Sequence, residues 1–297
     1  MKGMREIRNR IKAVKSTGQI TRAMQLVAAS KMKKAQQNAE SGRAYATLLM
    51  DLTESVGAEI LGVVARNLKL SKSDRRLVIV FSTDKGLCGG LNTNIFKTVS
   101  EISGDAEFIT VGLRAARFVA RSGRKLLANF KISDYVKFSE TRKIAEFAMK
   151  TAKEGGFGSI EVLYPIFVNT LRQEPALVKI APVDDLQWFI ERLKKSYKLS
   201  DVANHPKEDR RFSFEPSLDA IAAELPQFYI KQAIHYMALD AKASEHSARM
   251  VAMKSASDNA NTLVQDLTLE YNKARQSAIT TEILELASAA QALENNS

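Results

Sequence analysis

Apolar or small residues recur every three or four positions near the start of the chain: Met4, Ile7, Ile11, Val14, Gly18, Thr21, then Ala28, Met32, Ala35, Ala39, Gly42, Ala46, Leu49, Val56 and Ile60. Alternating threes and fours make the seam of a coiled coil. The small residues in its middle let a partner helix approach closely. A second stripe lies near the other end, at Ile230, Ile234, Met237, Ala241, Ala248 and Val251, and then shifts to Ala256, Ala260, Leu263, Leu267, Ala274 and Ala278. The shift predicts imperfect, locally unwound pairing. Residues 227–297 contain neither Gly nor Pro and are rich in Ala, Leu, Glu, Lys and Gln, so helix propensity is high throughout. At 1.5 Å per residue such a helix runs roughly 100 Å, and most of it is expected to project beyond any compact core.

Between the stripes the pattern changes to short β-rich runs alternating with amphipathic helices, the pattern of an open α/β sheet. Strands are expected at 77–81, 107–111, 125–130 and 159–164, and helices at 94–102, 114–121 and 142–153. A hairpin of 167–171 with 176–180 finishes the sheet. All six prolines fall between Pro165 and Pro226, and no glycine follows Gly158. The fold class is therefore α/β: a long antiparallel coiled coil of the N- and C-terminal helices plus a Rossmann-like open α/β domain. Residues 1–70 form the first long helix, 71–197 the central domain, 198–216 a connection and 217–297 the second long helix.

Nearly half of the 297 residues are apolar, enough for a sizeable core, and the chain does not have the composition of a disordered one. Met1 to Arg22 is studded with Lys and Arg and has no apolar run long enough for a signal or a membrane span, so a soluble, cytoplasmic protein is expected. Cys88 is the single cysteine, which excludes an internal disulfide and a thiolate-rich zinc site, and three histidines add little metal potential. The formal charge of +11 is unevenly placed. Eleven cations stand against Glu6 and Glu40 up to Arg43, whereas nine acids stand against six cations from Glu224 onward. Opposite charge balance at the two ends suits helices that pair.

Residues 82–92 (STDKGLCGGLN) follow a strand and precede a helix, the position of phosphate loops, but they lack the Walker spacing. Their glycines fit a tight turn and close helix packing better, and direct nucleotide binding is not expected. Cys88, with no histidine nearby in sequence, reads as a small packed residue rather than a nucleophile. The basic first helix has no aromatic residue before Tyr45 to stack on bases, and its stripe already calls for a protein partner, so nucleic acid is not an expected partner. Two rival classes follow from these features: a nucleotide-binding enzyme with coiled-coil arms, and a nucleic-acid-binding arm with steeply salt-dependent affinity. Around Ile279, Ile283, Leu284 and Leu286 the last helix is apolar over much of its circumference, which for a projecting helix fits an apolar socket in another protein.

Four runs in three regions of the chain carry a family resemblance. ITRAMQLVAASKM at 20–32, DKGLCG at 84–89, and EHSARMVAMK at 245–254 with YNKARQSAIT at 271–280 closely resemble the N-terminal, central and C-terminal signatures of gamma subunits of F-type ATP synthases. The resemblance spans nearly the whole chain and argues against both rivals. It implies a non-catalytic rotary shaft without cofactor, catalytic group or metal site, threaded through a ring of alpha and beta subunits, its α/β domain resting on epsilon and the membrane rotor c-ring. By the same resemblance Arg275 and Gln276 hydrogen-bond a beta-subunit loop, with Thr280 and Glu282 nearby. Met24 and Arg249 lie in the shaft facing other beta-subunit segments, and Ile279, Ile283 and Leu286 form an apolar shaft tip. No transit-like extension precedes the first run, which favours a bacterial protein, peripheral on the cytoplasmic face of the inner membrane.

Overall fold

A computed structural model gives the structure of the protein and describes residues 2–41, 70–182, 215 and 217–294. The seam expected at Gly42 to Ile60 and almost all of the 198–216 connection lie outside the described residues. In chain order the elements are α1 (Lys2–Ser41), β1 (Arg76–Phe81), α2 (Leu91–Glu101), β2 (Ala106–Val111), α3 (Leu113–Arg121), β3 (Leu126–Phe130), α4 (Phe138–Glu154), β4 (Ser159–Phe167), β5 (Gln173–Ala181) and α5 (Leu218–Glu294). The sheet order is β3-β2-β1-β4-β5. Its first four strands are parallel and β5 is antiparallel to β4. This is the open α/β sheet that the sequence predicts.

The central strand β1 shows why. Its continuous apolar run is buried on both faces, as a strand inside a parallel sheet requires. Leu77, Ile79 and Phe81 pack with Ile144 and Ala148 of α4 and with Ile230, Ile234 and Met237 of α5. Val78 and Val80 face Ile95 and Val99 of α2 and Ala115 and Val119 of α3. The period of two thus divides one strand between two cores.

Boundaries differ from expectation where a turn or cap decides them. The edge hairpin forms, but 167–171 is not its strand: β4 continues through Pro165 to Phe167, and residues 168–172 make the turn. Asn169 holds that turn, its Oδ1 accepting from the amides of Leu171 and Arg172 at 2.9 Å each, which competes with extended backbone. The β1–β4 ladder ends at Leu163, so the missing amide of Pro165 removes no bond from it. Helix α4 begins four residues before the expected 142 because the Glu140 carboxylate accepts from the Lys137 amide at 3.0 Å and the Ser133 hydroxyl at 2.8 Å.

Packing divides the chain into two units, Met1–Val27 with Met250–Ser297, and Ala28–Arg249. The sheet and its helices belong to the second. In the first, the seam of α1 is as expected: Gly18 is buried, and Met4, Ile7, Ile11, Val14 and Thr21 are half-buried among exposed neighbours. A Cβ at Gly18 would stand 3.2 Å from that of Ala260, so the small residue permits the close approach. The α5 seam differs from expectation. Met253, Ser257, Ala260 and Leu267 are its buried positions, with Val264 and Tyr271 half-buried between and after them, whereas Leu263 is 40% exposed and Ala256 lies beside the seam. Apolar identity alone misses Ser257, which is accommodated because its hydroxyl donates to the Gly18 carbonyl at 3.5 Å. Spacings of four and three are kept from 253 to 271, a regular heptad seam that is out of register with Ala248 and Val251, as the expected shift requires, and that runs through Ala260 and Leu267.

Candidate partner-contact site

Exposure changes along α5. From Asn272 to Ala289 no residue is buried. Ile279, Ile283, Leu284 and Leu286 are 48%, 59%, 61% and 66% exposed, an apolar end that no element covers among the described residues. Arg275, Gln276, Thr280 and Glu282 are exposed on the same stretch. The Thr280 hydroxyl donates back to the Gln276 carbonyl at 2.9 Å, as threonines inside helices commonly do. Among the described residues the side chains of Arg275 and Gln276 have no hydrogen-bond or ion-pair partner. Four aliphatic side chains held in water, next to an arginine and a glutamine with free donors, make a surface suited to another protein.

Met24 and Arg249 are placed differently. Met24 continues the α1 seam and is half-buried. Arg249 is turned inward: its Nη2 lies 2.9 Å from Glu245 Oε1 and 3.4 Å from the Gly86 carbonyl oxygen. Glu245 also accepts from Lys242 Nζ at 2.9 Å. Burial would push the Glu245 carboxyl up, but Lys242 and Arg249 outweigh it and hold the group below the usual carboxylate range. Beside it His246 is 2% exposed, with no hydrogen bond to either ring nitrogen, and burial lowers it to about 4. Asp134, in the loop between β3 and α4, faces this group; nothing in the local sequence around it signals that position.

The 82–92 loop packs onto α5. The Thr83 hydroxyl donates to the Lys85 carbonyl at 2.6 Å, and Asn92 Nδ2 lies 2.8 Å from Thr83 Oγ1 and 3.2 Å from Cys88 Sγ. Cys88 is buried with Leu91 and Ala248. Burial pushes its thiol up, against the opposing hydrogen bond from Thr83, so it is held away from the thiolate a nucleophile needs. Among the described residues no cluster of His, Cys, Asp and Glu could hold a metal ion.

A family model described as ATP synthase matches residues 3–293. The chain is 45% identical over 289 residues to the ATP synthase gamma chain of Opitutus terrae, covering 97% of this chain and 98% of that one. It is 41% identical over 295 residues to the gamma chain of Methylacidiphilum infernorum, with the same coverage. Among solved structures, a chain of the Euglena gracilis mitochondrial ATP synthase rotor has a TM-score of 0.64 at 19% identity, covering 93% of this chain and 99% of that chain. A chain of the central stalk and c-ring of the Tetrahymena thermophila mitochondrial ATP synthase has a TM-score of 0.59 at 23% identity, covering 80% and 99%. The structural likenesses speak to the fold, two long helices and a five-stranded sheet. The sequence matches go further, since they run through α1, the 82–92 loop and α5 alike, and by them the chain belongs to the ATP synthase gamma chain family.

Proposed function

We propose that the paired lengths of α1 and α5 serve as a rotary shaft, that the sheet domain is its foot with 198–216 as the connection, and that α5 beyond Tyr271 is gripped by the catalytic ring. The chain is the non-catalytic central-stalk subunit of an F-type ATP synthase, and catalysis belongs to the beta subunits of that complex. Its partners are the alpha and beta subunits around the shaft, and epsilon and the membrane c-ring at the foot. The complex is membrane-associated, and among the described residues no helix is long and apolar enough to cross a membrane. We place the chain peripherally, on the cytoplasmic face of the bacterial inner membrane.

The observation that carries this reading is the exposed apolar end of α5. Desolvation and dispersion are non-directional, so Ile279, Ile283 and Leu286 can turn in an apolar sleeve against small angular barriers. Arg275 and Gln276 supply the directional element, charge-assisted hydrogen bonds to a beta-subunit loop, with Thr280 and Glu282 beside them. Met24 and Arg249 act further along the shaft, Arg249 with its guanidinium oriented by Glu245. An asymmetric shaft in a threefold ring touches each beta subunit differently, and its angle biases which nucleotide site opens.

Reconstitution with alpha and beta subunits tests the reading. The full chain is expected to form a stable complex with ATPase activity. Deleting everything after Tyr271, or replacing Arg275 and Gln276 together by alanine, should lower turnover about tenfold, the equivalent of about 1.4 kcal/mol of barrier. Equal turnover for all three chains would overturn the grip assigned to this segment.

A further inference from the structure

The loop 133–137, between β3 and α4, touches both long helices at once. Asp134 Oδ2 lies 2.6 Å from Lys31 Nζ on α1, and its Oδ1 lies 3.7 Å from His246 Nε2 and 3.9 Å from Lys242 Nζ on α5. The next residue repeats the hold on α1: the Tyr135 carbonyl accepts from Asn38 Nδ2 at 3.3 Å, and Lys34 Nζ stands 4.5 Å over the Tyr135 ring. Lys242 is also bonded to Glu245, which holds Arg249, so the ionic chain continues along α5 to the Gly86 loop.

The loop's backbone is strained. Val136, a buried β-branched residue, has φ 46°, in the left-handed region that β-branched side chains avoid. Such a conformation persists only where its surroundings over-determine it. Here the Glu140 carboxylate ties down Ser133 and Lys137 on either side, and Val136 is packed in the core with Ile132 and Ala145. A segment serving only to join β3 to α4 has no need of this stiffness.

We propose that this loop is a torque clasp, in which Asp134 is the positioning residue that fixes the rotational setting of α1 and α5 against the sheet domain. The proposal rests on the shaft-and-foot reading above. Ion pairs and hydrogen bonds resist rotation because they are directional, the opposite requirement to that of the apolar end of α5. Asp134 and Lys31 are both partly exposed, 37% and 42% for their side chains, so their pair adds little to folding and its work is orientation.

The test uses the complete membrane-bound complex carrying Asp134→Asn, Asp134→Glu or Lys31→Met. For Asp134→Asn, ATP hydrolysis by the detached, unloaded catalytic portion should stay within about twofold of wild type, while gradient-driven ATP synthesis falls at least about fivefold. Asp134→Glu should restore synthesis, and Lys31→Met, which removes only the contact of Asp134 to α1, should reproduce the split even where Asp134→Asn assembles poorly. If hydrolysis and synthesis fall in proportion, or neither changes, the clasp is refuted. A wild-type complex that makes no ATP under a gradient would instead count against the shaft reading.

Discussion

Replacing Gly112 by alanine should leave little folded protein, and any that folds should be less stable by about 3 kcal/mol or more. Gly112 joins β2 to α3 with φ 108° and ψ 141°, a conformation open in practice to glycine alone. An added Cβ would meet the Ser82 carbonyl oxygen at 2.4 Å and its hydroxyl at 2.8 Å, so strain and overlap coincide. Ser82 cannot simply retreat. Its amide donates to the Val111 carbonyl at 2.8 Å, and its hydroxyl accepts from the Ala115 amide at 2.9 Å, capping α3. It also opens the 82–92 loop that packs against α5. Gly104, at φ 84° with open space around its Cβ position, is the matched control: alanine there meets backbone strain alone, about 1–2 kcal/mol. Urea unfolding followed by far-ultraviolet circular dichroism compares the two. If Gly112→Ala lost no more stability than Gly104→Ala, the close approach to Ser82 would not be the constraint.

Periodicity made most of the architecture legible. β1 and β2 were predictable to within a residue because a strand buried on both faces is a short apolar run bounded by polar residues, and burial, not neighbours, writes that pattern. The α1 seam followed for the same reason. The α5 seam was misread at Ala256 and Leu263 because apolar identity does not mark the buried side of that helix. Ser257 is buried in the seam, whereas Leu263 and Leu269 are 40% and 63% exposed. A single chain cannot tell an inward stripe from one meant for a partner. The proposed contact residues are indicated only by the family resemblance, since Arg275 and Gln276 on an exposed helix look like any solvated face. Asp134 had no local signal at all. Its meaning comes from Lys31, 103 positions away, and from Lys242 and His246 on the far side of the sheet domain's sequence. Long-range polar contacts leave no periodic trace, which is why the clasp emerges only in three dimensions.

Acid should loosen this protein well above the ordinary carboxylate range, and His246 is the cause. The ring is almost wholly buried, lacks a hydrogen bond at either nitrogen, and sits among Lys242, Glu245, Arg249 and Asp134. Burial disfavours its charged form more than Glu245 and Asp134 favour it, and its folded value falls from 6.5 to about 4. An unfolded chain therefore takes up a proton here as the pH drops through 6.5, whereas the folded chain does so only near 4. Stability from this group is complete above the unfolded value and declines as the pH falls between the two. Over the full window the loss is about 3 kcal/mol, and from pH 7 to pH 5 about 2 kcal/mol. Asp134 and Glu245, both held below the usual carboxylate range, weaken the fold in the same direction, but only at lower pH, as they protonate. His235, lowered by burial beside the Thr141 hydroxyl, contributes in the same direction as His246. Urea midpoints measured at pH 7, 6 and 5 for wild type and His246→Gln separate these contributions. The variant should lose about 2 kcal/mol less than wild type over that range, leaving the residual slope due to His235. Parallel curves for the two proteins would mean that the buried imidazole is protonated in the fold, with Asp134 and Glu245 as its counter-charges.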